Sequence, residues 1–126
     1  MQKQSELIVI VKAKELASYV MTITEKSPKR FRFTLVSRMQ NYSLDIIEEL
    51  YLANEIFLKD VETAEARVRH QRKAQTSCRL LSYVAQLSME QKCILPKQYE
   101  QISKRIYDVQ NMLGAWMISD RRRTKP

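Results

Sequence analysis

Arginine and lysine are the residues of this chain whose types and spacing could do chemistry. Residues 67–126 carry thirteen of them against four aspartates and glutamates, whereas residues 1–66 carry nine against ten. The densest clusters are residues 67–73 and residues 121–125. A guanidinium group can hold a phosphate or a carboxylate through two parallel hydrogen bonds. The pattern therefore indicates either a solvated basic surface or a site for an anionic partner.

An anionic partner would be bound mainly through charge. Contacts between basic side chains and a phosphate backbone carry little sequence information and weaken as salt rises. No aromatic residue lies among the charges of residues 121–125, so base stacking has no platform there. The alternative for these last residues is a flexible, solubilising tail.

Residues for enzyme chemistry are scarce in this sequence. The single histidine, His70, has Arg67 rather than glutamate three residues before it, so the pairs that build di-iron sites are missing. One glycine cannot form a phosphate-binding glycine loop, and no Cys-x-x-Cys or His-Glu-x-x-His pattern occurs. We therefore expect no catalytic residue, metal or cofactor. Cys78 and Cys93 are expected to be buried free thiols, and His70 a surface residue.

The composition predicts an all-α fold in a single domain. The chain has 126 residues, 44% of them hydrophobic, with one glycine and three prolines. Few tight turns are available, which disfavours a hairpin-rich β fold. The polar start of the chain is not typical of a signal peptide, and its apolar run is broken by Lys12 and Lys14. We expect a soluble, cytoplasmic protein with no membrane contact.

Hydrophobic spacing predicts four helices: residues 5–25, residues 34–58, residues 61–92 and a last helix that starts near Pro96. Short connections favour an antiparallel up-down-up-down four-helix bundle over residues 1–120, followed by a basic, flexible tail over residues 121–126. The last helix carries the clearest apolar stripe, at Tyr99, Ile102, Ile106, Val109, Leu113 and Trp116.

The third predicted helix changes phase along its length. Val61, Ala64 and Val68 form a narrow apolar stripe, whereas the apolar residues from Cys78 onward lie on a different side. Residues 67–73 separate the two, so this end of the helix is expected to project beyond the core or to bend.

The second predicted helix has two apolar stripes. One is expected to fill the core, and the other consists of Leu44, Ile47, Tyr51 and Leu58. The second stripe either widens the contact with a neighbouring helix or forms the interface of a homo-oligomer.

Four segments resemble the accessory variability determinants, small four-helix-bundle proteins of diversity-generating retroelements. These segments are residues 28–31 (PKRF), residues 41–48 (NYSLDIIE), residues 95–99 (LPKQY) and residues 113–117 (LGAWM) before the basic end. The resemblance extends over nearly the whole chain. Related bundles are encoded within intervening sequences of bacterial large-subunit ribosomal RNA.

The resemblance implies a non-enzymatic accessory protein that forms a positively charged pentamer. Its partners would be the reverse transcriptase of the element and the RNA and DNA of mutagenic reverse transcription. Alternatives are a protein-only interaction scaffold, or a bundle protein of ribosomal RNA intervening sequences with no assigned role. The positions expected to contact partners are Arg67, Arg69, Arg72, Lys73, Arg79, Lys104, Arg105, Arg121, Arg122 and Arg123.

Overall fold

The fold is a bundle of four α-helices, seen in a computed structural model that describes the backbone of residues 2–124 and the side chains of residues 8–124. The helices are α1 (Gln2–Thr24), α2 (Ser37–Glu55), α3 (Val61–Glu90) and α4 (Pro96–Arg123), with no strand in the described range. Each packs against two neighbours, α1 and α3 both lying between α2 and α4. This arrangement confirms the predicted all-α four-helix bundle.

Every helix buries residues at alternating steps of four and three, the spacing of coiled-coil packing. In α4 the buried stripe is Ile102, Ile106, Val109, Leu113, Trp116 and Asp120. In α3 it is Arg67, Gln71, Ala74, Cys78, Leu81, Ala85 and Ser88. The stripes of α1 and α2 complete a core in which Leu16, Met39, Ile46 and Leu50 are fully buried.

The prediction that the start of α3 projects beyond the core or bends was wrong. Val61 is 72% exposed, and Ala64 and Val68 are only half-buried, whereas Arg67 and Gln71 occupy the buried positions. Residues 67–73 belong to one uninterrupted helix rather than to a projecting end. The register that buries Cys78 and Leu81 also points Arg67 inward. Asp120 of α4 meets Arg67 there, so a charged pair satisfies a position at which an apolar side chain was expected.

The predicted break between α2 and α3 was confirmed. The chain leaves α2 at Glu55 and re-enters helix at Val61. Asp60 caps α3: its Oδ1 accepts from the backbone N–H of Thr63 at 2.9 Å, and Thr63 Oγ1 accepts from the Asp60 N–H at 3.1 Å. The hydrogen bond from the Thr63 backbone lowers the pKa of Asp60. This reciprocal pairing replaces the missing Pro or Gly as the start signal.

The start of α2 differs from its prediction. The chain forms a 3₁₀ turn at Lys29–Phe31 and a π-helical turn at Arg32–Val36 before α2 begins at Ser37. Pro28, in an extended conformation, precedes these turns and lacks the N–H that a continuous helix would need. The second helix is therefore shorter than the predicted residues 34–58.

The ends of the bundle also differ from expectation. α4 starts at Pro96 as predicted but continues through Arg123, so the expected boundary at residue 120 lies inside the helix. Lys125 and Pro126, the last residues of the predicted tail, lie outside the described residues. In the range that is described, no helix is long and apolar enough to span a lipid bilayer.

Candidate nucleic-acid interface

The outer side of α3 carries four of the predicted contact residues. Arg69, Arg72, Lys73 and Arg79 are all exposed, because they fall between the buried steps of the core stripe. Among the described side chains, none of the four forms an ion pair with a carboxylate. The positive charge of this helix is therefore directed to solvent and available to an external anion.

The basic residues of α4 divide into two groups. Lys104, Arg121 and Arg122 are exposed. Arg105 is half-buried: its Nη1 donates to Gln101 Oε1 at 2.8 Å, and its guanidinium carbon lies 4.2 Å from the centre of the Tyr19 ring of α1. Arg123 donates to the carboxylate of Asp120. The first group is free to meet a partner, whereas the second is engaged within the bundle.

Arg67 is a core residue rather than a surface contact. Its side chain is 3% exposed, and its Nε lies 3.1 Å from Asp120 Oδ2. Its Nη1 donates to the carbonyl of Ile56 at 3.2 Å, and its guanidinium carbon lies 4.9 Å from the centre of the Trp116 ring. Gln71 Nε2 donates to the same Asp120 oxygen at 3.0 Å. We refer to Arg67, Gln71, Trp116 and Asp120 as the buried polar cluster.

A groove opens between α3 and α4 beside this cluster. Its volume is about 570 Å³, and Arg72 and Arg121 are both among the residues that line it. Its apolar lining is formed by Leu58, Val61, Ala64, Val68 and Met117. The groove shows that arginines from two helices reach the same face of the bundle, which we call the α3–α4 face.

The four residues predicted as an oligomer interface do not form one surface. Leu44 and Tyr51 are 46% and 53% exposed on α2. Ile47 is partly buried and packs against the core. Leu58 lies after the end of α2 and lines the groove of the α3–α4 face. Extending the α2 stripe past Glu55 was wrong, because the chain leaves the helical path there.

The remaining titratable residues are held in structural contacts. His70 Nδ1 lies 2.7 Å from Glu49 Oε1 and joins α3 to α2, so the histidine is partly buried instead of free on the surface. Burial raises the pKa of the Cys78 thiol to about 12 and also raises the pKa of Cys93. Both cysteines are free and buried, as predicted. No group of three metal-binding side chains converges within residues 8–124.

Sequence reasoning missed Asp120 and Gln71, although a signal for both was present. The apolar spacing of α4 places Leu113 and Trp116 on the core side, and one further step of four leads to Asp120. In α3, the step of three before Ala74 leads to Gln71, and a step of four before that leads to Arg67. Two opposite charges at core positions of two helices predict a buried pair.

A comparison with known families gives a match that covers most of the described bundle. Residues 7–119 match the family model described as bAvd-like. This range includes all of α2 and α3 and most of α1 and α4. A comparison with curated proteins found no match. The chain belongs to the bAvd-like family.

Proposed function

We propose that this protein is a cytoplasmic, non-catalytic accessory subunit of a diversity-generating retroelement. In this role it binds the reverse transcriptase together with its RNA and complementary DNA, and it supports mutagenic reverse transcription. The observation that carries the proposal is the set of exposed arginines and lysines on α3 and α4 that have no carboxylate partner among the side chains of residues 8–124. Membership of the bAvd-like family supports the accessory role.

The distribution of charge over the bundle supports a polyanion as the bound partner. Asp45, Glu48 and Glu55 are exposed on α2, whereas Arg69, Arg72, Arg79, Arg121 and Arg122 are exposed on α3 and α4. Since α2 and α4 do not lie side by side in the packing order, these three acidic residues lie away from α4; besides Asp120, Glu65 is the carboxylate that lines the groove with Arg72 and Arg121. A coherent positive face attracts a phosphate backbone over a wider range than scattered charges do.

Binding of the purified protein to a labelled structured RNA should be strong at ~50 mM salt and should be lost as salt rises. The reason is that each phosphate neutralised by arginine or lysine releases a bound counterion. A mobility-shift series in increasing salt measures this directly. The same series with a DNA duplex reports how far the face depends on the type of nucleic acid.

Absence of any shift at ~50 mM salt would contradict direct nucleic-acid binding. The protein would then be a scaffold whose basic face meets acidic protein surfaces. Co-purification with the reverse transcriptase after nuclease treatment separates these cases, because a protein-only contact survives the nuclease and an RNA bridge does not.

For assembly, we propose a homo-oligomeric ring that uses the exposed apolar residues of α2. Leu44 and Tyr51 are separated by seven residues, so they lie on one face of the helix, with Asp45 and Glu48 beside them. In the packing order of the bundle, the side where α1 meets α2 is opposite the α3–α4 face. Contacts through Leu44 and Tyr51 would leave the arginines exposed. A pentamer is the subunit number that the family resemblance implies.

Replacing Tyr51 with glutamate should dissociate the assembly, because a charge would be buried at an apolar contact. Light scattering at micromolar concentration should give a mass several times the 14.9 kDa of one chain for the natural sequence. The variant should give a much smaller mass. The matched control is Tyr83→Glu, since Tyr83 is exposed on α3 instead. A monomeric natural protein, or equal masses for both variants, would refute this interface.

A further inference from the structure

Gly114 is the only glycine of the chain, and it lies in the interior of α4. Glycine is among the least favourable residues in a helix interior, so its presence usually reflects a close approach of other atoms. A Cβ added at Gly114 would meet no heavy atom within 4 Å. Packing among the described residues therefore does not require this glycine, and the surface of α4 is open at this position.

The surroundings of Gly114 are set by the pairing of α3 with α4. Gln71 donates to Asp120, and Gln110 Nε2 donates to the Gln75 carbonyl at 3.5 Å. As residue numbers rise in α3 they fall in α4, so the two helices are antiparallel. Along the bundle axis, Gly114 lies between the Gln71–Asp120 contact and the Gln75–Gln110 contact. It is therefore level with the residues of α3 that follow Gln71.

Arginines flank this level on both helices. Gly114 lies seven residues before Arg121, and Arg79 lies seven residues after Arg72, which in each helix is two turns on the same face, ~10 Å along its axis. Arg72 and Arg121 line one groove, and Arg72 lies between Gln71 and Gln75, at the level of Gly114, whereas Arg79 lies one turn beyond Gln75. None of these three arginines has a carboxylate partner in the described range.

We propose that a nucleic-acid strand runs along the α3–α4 face and makes its closest approach to the protein at Gly114. Phosphates contact Arg72, Arg79 and Arg121, and the sugar–phosphate backbone lies against the bare backbone of α4. Tyr107, two turns before Gly114 on the same face and 64% exposed, presents its ring to a base. This inference rests on the proposed function and identifies where on the basic face the strand lies.

A nucleic-acid strand fits the α3–α4 face better than a helix of a partner protein does. At the level of Gly114, the paired side chains that bridge α3 and α4 are polar, since Gln110 contacts Gln75 there. The apolar groove that a protein helix would need begins beyond Arg72 and Arg121, toward Leu58 and Val61. Unpaired arginines and amides without an apolar anchor are typical of contacts with phosphate and sugar.

The test compares two substitutions at Gly114 with one at its neighbour. Ala115 is exposed, but it projects from α4 at ~100° to Gly114. The substitution Ala115→Leu therefore places the same leucine side chain on the same helix but away from the α3–α4 face. With a fluorescein-labelled single-stranded RNA of mixed sequence at ~0.1 M salt, Gly114→Leu should weaken binding about tenfold, the loss of one phosphate contact. Ala115→Leu should leave binding unchanged.

Gly114→Ala gives a second, independent signal. It should raise the thermal midpoint, because alanine favours the helix, while it weakens RNA binding. A purely structural role for the glycine would predict a change in stability without a change in affinity. Circular dichroism confirms that each variant retains its helices before binding is measured.

The outcomes separate the two proposals. If the natural protein binds no RNA, the proposed function fails. If it binds RNA and Gly114→Leu binds equally well, the strand does not pass Gly114 and only this inference is overturned. If Gly114→Leu retains RNA affinity but changes the mass in light scattering, the face contacts protein, which also overturns it.

Discussion

Replacing Arg69, Arg72, Lys73 and Arg79 together with glutamine should weaken RNA binding on the order of 10³-fold at ~0.1 M salt. All four side chains are exposed on α3 and none is used in an ion pair within the described residues. Each lost contact removes one counterion-release step, so the losses multiply. The slope of log affinity against log salt should become shallower by about 3. Fluorescence anisotropy over a salt series measures both quantities.

Arg67 is deliberately kept in this variant, although the sequence alone places it in the same basic segment. Its guanidinium is buried against Asp120, so its replacement would test stability rather than binding. The matched control changes four exposed basic residues before α2 to glutamine: Lys14, Lys26, Lys29 and Arg32. The net charge falls by the same amount in both variants. Only the position of the lost charge differs.

Equal losses in the two quadruple variants would contradict a localised interface. They would show that net charge alone governs binding, as on a solvated basic surface. A loss confined to the α3 variant, with unchanged circular dichroism, would place the interface on this helix. Because Arg79 is one of the three arginines proposed to contact the strand, Arg79→Gln alone should account for about tenfold of the effect.

The helical layout was predictable because it depends on local signals and on periodicity. Pro96 marks the start of α4, and the stripe from Ile102 to Trp116 is apolar at every core position. The break between α2 and α3 follows from length, since one helix across it would be out of scale with the others. These features need no knowledge of tertiary contacts, and the structure reproduces them.

The buried polar cluster could not be recognised from the apolar pattern, because that pattern assumes that core positions are apolar. Arg67 and Asp120 are separated by 53 positions in sequence but by 3.1 Å in the fold. Each charge taken alone is typical of a surface. The contact between the two charges becomes visible only when the buried stripe of α3 is followed back to its first turns and the buried stripe of α4 is followed to its last turn. The same assumption took Val61, Ala64 and Val68 as the apolar stripe at this end of α3 and placed Arg67 among the surface contacts.

The candidate interface was predicted as a region more accurately than as a set of residues. Eight of the ten predicted contact positions are exposed on α3 or α4, but one of them, Arg123, is paired with Asp120; Arg67 is buried, and Arg105 is half-buried against Tyr19. A charge count finds the basic half of the chain. It cannot separate arginines that stabilise the bundle from those that face solvent, because both types increase the count equally.

Replacing Asp120 with alanine should reduce the free energy of unfolding by about 3–5 kcal/mol, the usual effect of removing one partner of a buried ion pair. The Arg67 side chain would keep its charge at 3% exposure without the carboxylate that lies 3.1 Å from it now. The amide of Gln71 would lose its acceptor as well. A single domain has only ~5–15 kcal/mol in total, so this variant should be close to unfolding at room temperature. Urea unfolding followed by circular dichroism measures the loss.

The matched control is Asp108→Ala, which removes an exposed carboxylate from the same helix and should change stability by less than about 0.5 kcal/mol. An Asp120→Ala variant within about 1 kcal/mol of the natural protein would show that Arg67 finds other compensation, and the cluster would lose its structural importance.

A double variant separates the net contribution of the ion pair from the penalty of an unpaired charge. Arg67→Met with Asp120→Leu fills both core positions with apolar side chains, so no buried charge remains. The double variant should recover most of the stability lost in Asp120→Ala and could exceed the natural protein by about 1–4 kcal/mol. Recovery would mean that the cluster contributes specificity more than stability: Arg67 and Asp120 fix the register in which α3 and α4 pair. That register is what brings Arg72 of α3 to the level of Gly114 of α4, so a stable double variant should also show weaker RNA binding if the helices shift.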